Sequence, residues 1–315
     1  AAPSSALINR NSITGNSDYD VRNVGAMLTD ATCNWYGSAS GPVMAKISGS
    51  LTVNPWLASS NLNGPCALDT QGPITVTDAP APAPINTPIN VTATISDLTT
   101  GNSPLLSWTW SRDGVVQATT NFVTSAVTQA VSFTVPADVA ADLDEVCVWG
   151  TDVYGNVGAP SCVLAVWFDP NAGFVTGGGW INSPAGAYSA DPTLTGRANF
   201  GFVSKYQKGK SIPTGNTQFQ FQAGNLHFSS TAYEWLVVAG ARAQFKGIGT
   251  INGSGSFNFI LTAIDGSLPG GGGSDKFRIK IFGSSGGVVY DNMLNAPDTS
   301  DPTTVLGGGK IQIHK

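Results

Sequence analysis

From Phe174 to Lys315 apolar and polar residues alternate repeatedly with a period of two. The pattern is plainest in Thr217-Gln218-Phe219-Gln220-Phe221-Gln222, Ser256-Phe257-Asn258-Phe259-Ile260-Leu261 and Lys276-Phe277-Arg278-Ile279-Lys280-Ile281-Phe282. Successive side chains of a strand point to opposite faces, so each segment has one apolar and one wet face. About nine such segments, broken by Gly, Asn, Ser and Pro turns, predict a two-layered antiparallel β-domain.

The rest of the chain constrains class and compartment. At 315 residues it is long enough for two or three domains, each with its own core. Charged residues make up 11%, against roughly 25% in ordinary soluble domains. Glu145 and Glu234 are the only glutamates, and Gly, Ser, Thr and Asn fill much of the remainder. A surface of hydroxyls and amides is the composition of an exported β-protein, so an extracellular or cell-surface location is expected. The net charge is −5, and the densest basic stretch is the short Lys205-Tyr206-Gln207-Lys208-Gly209-Lys210, which excludes a nucleic-acid partner. No apolar run approaches the ~18 residues that cross a bilayer, so no membrane span is expected.

Three regions follow one another: 1–68, 69–168 and 169–315. In the first, Ala6-Leu7-Ile8-Asn9-Arg10-Asn11-Ser12-Ile13-Thr14-Gly15-Asn16 has apolar residues to stack inward, with Asn and Gly to turn corners and form hydrogen-bonded ladders. Asp20-Val21-Arg22-Asn23-Val24 and Ala26-Met27-Leu28-Thr29-Asp30-Ala31 continue it, followed by Cys33-Asn34-Trp35-Tyr36-Gly37 and Val53-Asn54-Pro55-Trp56-Leu57. This combination resembles the terminal coils and cap of pectate-lyase-like, right-handed parallel β-helix proteins. One or two coils cannot bury a continuous core alone. Either further coils precede them or the segment supplies strands to a neighbour.

Asp78-Ala79-Pro80-Ala81-Pro82-Ala83-Pro84 favours extended chain, as a spacer or as an edge strand opening the second region. Ile89-Asn90-Val91-Thr92-Ala93-Thr94-Ile95, Leu106-Ser107-Trp108-Thr109-Trp110 and Glu145-Val146-Cys147-Val148-Trp149, with the turn Asp152-Val153-Tyr154-Gly155-Asn156, resemble an immunoglobulin-like or PKD-like β-sandwich. Residues 173–315 resemble the domain called post-COAP-1. The likeness rests on Gly173-Phe174-Val175-Thr176-Gly177-Gly178-Gly179-Trp180-Ile181, Ala198-Asn199-Phe200-Gly201-Phe202, Tyr233-Glu234-Trp235-Leu236 and Gly307-Gly308-Gly309-Lys310-Ile311. It implies an exported, surface-associated accessory module and brings no catalytic residues. The expected fold is therefore all-β: the end of a parallel β-helix, an Ig-like sandwich, then a second antiparallel, sandwich-like domain.

Cys33, Cys66, Cys147 and Cys162 lack zinc-ligand spacing. Four cysteines allow three connectivities, and sequential pairing (Cys33–Cys66, Cys147–Cys162) keeps each bridge within one region. Disulfides suit an oxidising compartment.

Catalytic constellations are missing, and no enzyme is expected. His227 lies in a strand-like segment and His314 next to the C-terminal residue, while neither G-x-S-x-G nor H-E-x-x-H occurs. Glu234 sits in Tyr233-Glu234-Trp235-Leu236-Val237-Val238, whose alternation predicts Tyr233, Trp235 and Val237 on one face. Gly177-Gly178-Gly179 lacks the residues of a phosphate loop and signals close backbone approach. The candidate metal ligands are Asp265 and Asp275, which flank Gly266-Ser267-Leu268-Pro269-Gly270-Gly271-Gly272-Gly273-Ser274 and offer hard oxygen donors to Ca²⁺. No other cofactor is expected.

The leading expectation is a structural or adhesive surface protein that self-associates through the β-helix end or by strand donation, as in a filament. The alternative is a glycan-binding accessory region that contacts cell-surface polysaccharide, with Trp35, Tyr36, Trp56, Trp180 and Trp235 as candidate platforms.

Overall fold

The computed structural model describes residues 6–38, 40–57, 60–63, 69–101, 103–124 and 126–315. Strands hold 51% of the residues and helices 2%, so the chain is all-β.

Among its described residues the N-terminal region has four two-residue strands, β1 (Val21–Arg22), β2 (Thr29–Asp30), β3 (Ile47–Ser48) and β4 (Leu51–Thr52). Strand β1 pairs in parallel with β3, and β2 with β4. Two isolated parallel bridges, Leu7 to Asp30 and Ser12 to Trp35, extend the ladder towards the N-terminus. Inside, Val21, Ala31, Tyr36 and Val53 form a small core. Asn34 is fully buried. Its Oδ1 accepts from the Asn11 backbone N–H (2.8 Å) and from Asn11 Nδ2 (3.1 Å), while its Nδ2 donates to the Ile8 (2.5 Å) and Ala31 (2.8 Å) carbonyls. All four polar positions of this amide are thus matched, as a buried carboxamide requires.

The second region is a two-sheet sandwich. Strands β5 (Ile74–Thr77), β6 (Ala83–Pro84), β7 (Ile89–Ser96), β8 (Leu105–Arg112), β9 (Val115–Asn121), β10 (Thr128–Val135), β11 (Asp142–Asp152) and β12 (Ser161–Phe168) form it. One sheet has the order β10-β7-β5 and the other β6-β12-β11-β8-β9. Strict alternation in β7 buries Ile89, Val91, Ala93 and Ile95. Trp108 and Trp110 of β8 reach across to Phe133 of β10, with centroids 5.5 and 4.7 Å away, and so tie the two sheets together. The proline-rich segment is an edge, not a free spacer: β6 pairs in parallel with the end of β12. Proline donates no N–H, which suits it to an edge strand.

The third region is one continuous meander: β13 (Phe174–Ser183), β14 (Gly196–Lys205), β15 (Thr214–Phe221), β16 (Leu226–Ala239), β17 (Arg242–Ile251), β18 (Ser254–Ile264), β19 (Lys276–Phe282), β20 (Val288–Asp291) and β21 (Gly308–His314). All neighbours are antiparallel, in the order β20-β19-β18-β17-β16-β15-β14-β13-β21. Its two layers are halves of this single sheet folded on itself. Phe200 of β14 stacks on Phe277 of β19 at 4.0 Å, although four strands separate β14 from β19 in the sheet. Gly177 makes room for this core, because a Cβ there would lie 2.3 Å from the Phe202 ring.

The alternation expected around Glu234 fails. The register shifts between Tyr233 and Trp235, a bulge that turns the strand by one face. Tyr233 therefore packs inward on Phe245 and Phe259, whereas Trp235 and Val237 point the other way. Those two meet Ala141, Leu143 and Val166 of the sandwich in a core shared by both regions. Phe168 stacks on Tyr206 at 5.3 Å, and the Tyr206 hydroxyl donates to the Leu236 carbonyl and accepts from its N–H. The joint at 169–173 is short and its flanks are packed, so the two regions are held together by apolar contact as well as by chain.

Candidate functional site

The glycine-rich loop between β18 and β19 brings Asp265 and Asp275 to the free side of β21. One edge of β21 pairs with β13. On the other, the Ile313 N–H donates to Asp265 Oδ2 (3.0 Å) and the Ile311 N–H to Asp275 Oδ2 (2.7 Å). The remaining oxygens accept from the Ser267 N–H and hydroxyl (Asp265 Oδ1, 3.0 and 2.6 Å) and from the Gly266 N–H (Asp275 Oδ1, 2.8 Å). Burial by itself raises the Asp265 carboxyl. The Ser267 hydroxyl, the Ile313 and Ser267 N–H groups and the Lys310 charge outweigh it and hold the pKa below the ordinary value. The two side chains thus act as substitute carbonyls that occupy the outward N–H groups of a terminal strand. All four oxygens that would ligate Ca²⁺ already accept hydrogen bonds from protein donors.

A second acidic group was not legible in the sequence. Oxygens of Asp69, Asp97 and Asp152 lie within 4.8 Å of one another, and Asp97 and Asp152 are fully buried. Asp97 directly follows β7 and Asp152 is the last residue of β11, each before a turn. Asp97 accepts from the Thr100 hydroxyl (2.6 Å) and the Ser103 N–H (2.5 Å); Asp152 accepts from the Tyr154 and Asn156 N–H groups and from Asn156 Nδ2. Burial, and the charges of Asp69 and Asp152, raise the Asp97 carboxyl against these hydrogen bonds. Three carboxylates are hard oxygen donors of the kind a cation takes, but here too every oxygen already accepts from a protein donor, those of Asp69 from the Gln71 N–H and the Ser103 hydroxyl. A second cluster, Glu145 with Cys147 and Cys162, offers no such donor set, because its sulfurs are joined in a disulfide.

Cys147 and Cys162 face each other across β11 and β12 and are bonded, with Cα atoms 4.0 Å apart. The expected Cys33–Cys66 pairing falls on Cys66, which lies outside the described residues.

None of the aromatic candidates offers an open platform. Tyr36 and Trp235 are buried, and Trp35, Trp56 and Trp180 are half-buried. A Cβ on Gly41 would lie 2.4 Å from the Trp56 ring, and the Arg197 guanidinium sits 4.7 Å over Trp180. His314 stacks on Phe174 at 4.2 Å, and Glu234 pairs with Lys246 at 2.7 Å. His227 is exposed on the outer face of β16.

The remaining surface of note is the N-terminal ladder. Leu7, Val24, Leu28 and Val43 are 56–85% exposed there. Among the described residues no strand pairs with the side of β1 opposite β3. No helix of the described residues is long and apolar enough to cross a membrane.

No family model and no curated protein matches the chain. Among solved structures it is similar to the fibronectin(III)-like modules of Clostridium thermocellum CbhA, at 18% identity and a TM-score of 0.24, over 30% of this chain and 96% of that one.

Proposed function

We propose that the chain is an exported structural or adhesive protein of a cell surface, whose N-terminal region is the end of a parallel β-helix that stacks on coils of a second copy. The observation that carries this reading is the parallel ladder. Leu7 bridges to Asp30 and Ser12 to Trp35, each 23 residues on, while Val21 pairs with Ile47 and Thr29 with Leu51, 26 and 22 residues on. A repeat of nearly constant length with parallel pairing is the signature of a coil, and the Asn11–Asn34 amide contact spans the same 23 residues. Among the described residues Leu7, Val24 and Leu28 stand in solvent and β1 pairs on one side only, and an unpaired strand edge is a template for another strand.

The cross-strand disulfide and the charge-poor composition support an oxidising, extracellular setting. The motifs of residues 173–315 support a post-COAP-1-like accessory module. Light scattering and electron microscopy of the purified chain test the proposal. Concentration-dependent oligomers or filaments, lost in Leu7→Lys and Val24→Lys, are expected. A monomer at every concentration overturns it.

A further inference from the structure

The outward face of the third region carries a trough across β14–β17. Gly178 and Gly201 are cross-strand partners on that face, and Gln218, Ser229 and Thr250 continue their row onto β15, β16 and β17. A Cβ on Gly201 would meet no atom within 4 Å, and its backbone is outside the left-handed region. Folding therefore does not demand glycine at this position, and its missing side chain leaves open space. Asn199, Gln220 and His227 stand side by side in the next row and form one bank. The trough is shallow and open to solvent, with a volume of about 680 Å³, and at ~4.8 Å per strand its four strands span roughly 14 Å.

Its chemistry selects the occupant. No Asp, Glu, Lys or Arg lines it, so it offers no carboxylate to a hard cation and no lining counter-charge to phosphate, sulfate or uronate. An apolar ligand also fits poorly, since the rings of Phe200, Phe219 and Phe228 are buried in the core behind the sheet. What the walls present is carboxamides, hydroxyls and one imidazole, groups that between them both donate and accept. Arg197 Nε donates to Asn199 Oδ1 (2.9 Å) while its guanidinium stacks on Trp180, so the Asn199 carboxamide is oriented before any ligand arrives. Such preorganisation lowers the ordering cost of binding.

We propose that this trough binds a neutral saccharide chain through its ring hydroxyls, with Asn199, Gln218 and Gln220 as the principal hydrogen-bonding side chains. The site is independent of the N-terminal ladder, and neither reading depends on the other. Affinity electrophoresis of the whole chain through gels containing a neutral β-glucan, mannan, xylan or galactan tests it, with polygalacturonate as the charged control. Retardation by at least one neutral polymer and none by polygalacturonate is expected. Gly201→Phe projects a ring into the trough from a position where a Cβ meets no atom, and should abolish retardation while leaving the thermal midpoint unchanged. Gln218→Ala should weaken it about 2- to 10-fold, the equivalent of one net hydrogen bond. This second variant decides the matter if Gly201→Phe folds poorly. Absence of retardation in every neutral gel, equal retardation by polygalacturonate, or unchanged retardation in the variants overturns the proposal.

Discussion

Replacing Asp265 by Asn tests whether the glycine-rich loop is fastened by backbone hydrogen bonds or by a metal ion. In the wild type, Asp265 Oδ2 takes the Ile313 N–H and Oδ1 takes two donors from Ser267. Asparagine keeps one acceptor oxygen and turns an NH₂ group towards whichever N–H loses its partner. Hydrogen bonds to a charged group contribute about 1.5–3 kcal/mol each, and an orphaned buried donor costs a similar amount, so a loss of about 2–4 kcal/mol is expected. For a domain of this size that lowers the Tm by about 5–15 °C. Differential scanning calorimetry at pH 7, in EDTA and in millimolar Ca²⁺, reads the effect. The hydrogen-bond account expects the wild-type Tm to be the same in both buffers and Asp265→Asn to lower it equally in both.

The pH dependence has a definite sign. The carboxyl of Asp265 is held below its ordinary value in the folded chain, so its stabilisation is fully present above an unfolded value near ~4 and is lost as pH falls through the folded value. The gap between wild type and Asp265→Asn should therefore narrow only below about pH 4. A wild-type Tm that falls in EDTA and recovers with Ca²⁺, or an Asp265→Asn variant as stable as wild type, would falsify the account.

Three further outcomes are expected. Arg278 is buried and bidentate to buried Asp291 (3.0 and 2.8 Å) while also donating to the Pro297 and Ala296 carbonyls. Arg278→Met leaves that buried carboxylate without its counter-charge and should cost about 3–5 kcal/mol in urea unfolding, with Arg278→Lys recovering only part because it lacks the planar fork. In the sandwich, burial raises the Asp97 carboxyl, and burial with a hydrogen bond shared with Asp113 pushes Asp144 up to about 7 despite Arg112. Both groups take up protons in the folded state before the unfolded state does, so the urea midpoint should rise as pH falls from 8 to 5; a midpoint that drops over this range refutes the assignment. Trp235→Ala removes the largest side chain of the core shared by the second and third regions, a loss of about 3–5 kcal/mol. It should split a joint thermal transition into two and expose residues 169–173 to proteolysis; a single unchanged transition would show that the regions are not coupled through Trp235.

What the sequence determined by itself is what depends on near neighbours. The period-two patterns of residues 217–221, 256–261 and 276–282 lie in β15, β18 and β19, because strand alternation is a property of the local backbone. The asparagines expected to form hydrogen-bonded ladders in residues 1–68 meet at one place in this way, where Asn11 contacts Asn34, 23 residues on. Tertiary structure decided everything that needed a distant partner. Nothing around Tyr233-Glu234-Trp235 announces the bulge there. It exists where the sandwich offers Ala141, Leu143 and Val166 to a tryptophan facing out of its own domain. Asp265 and Asp275 read as ion ligands because carboxylates beside a flexible loop are chemically able to be so. One oxygen of each also meets an N–H group 48 or 36 residues away, brought there when the last strand closes the sheet. The trough at Gly201 is likewise invisible along the chain. A glycine in a strand states only that a side chain is absent, and whether the space above it is filled or open depends on which strands lie beside it.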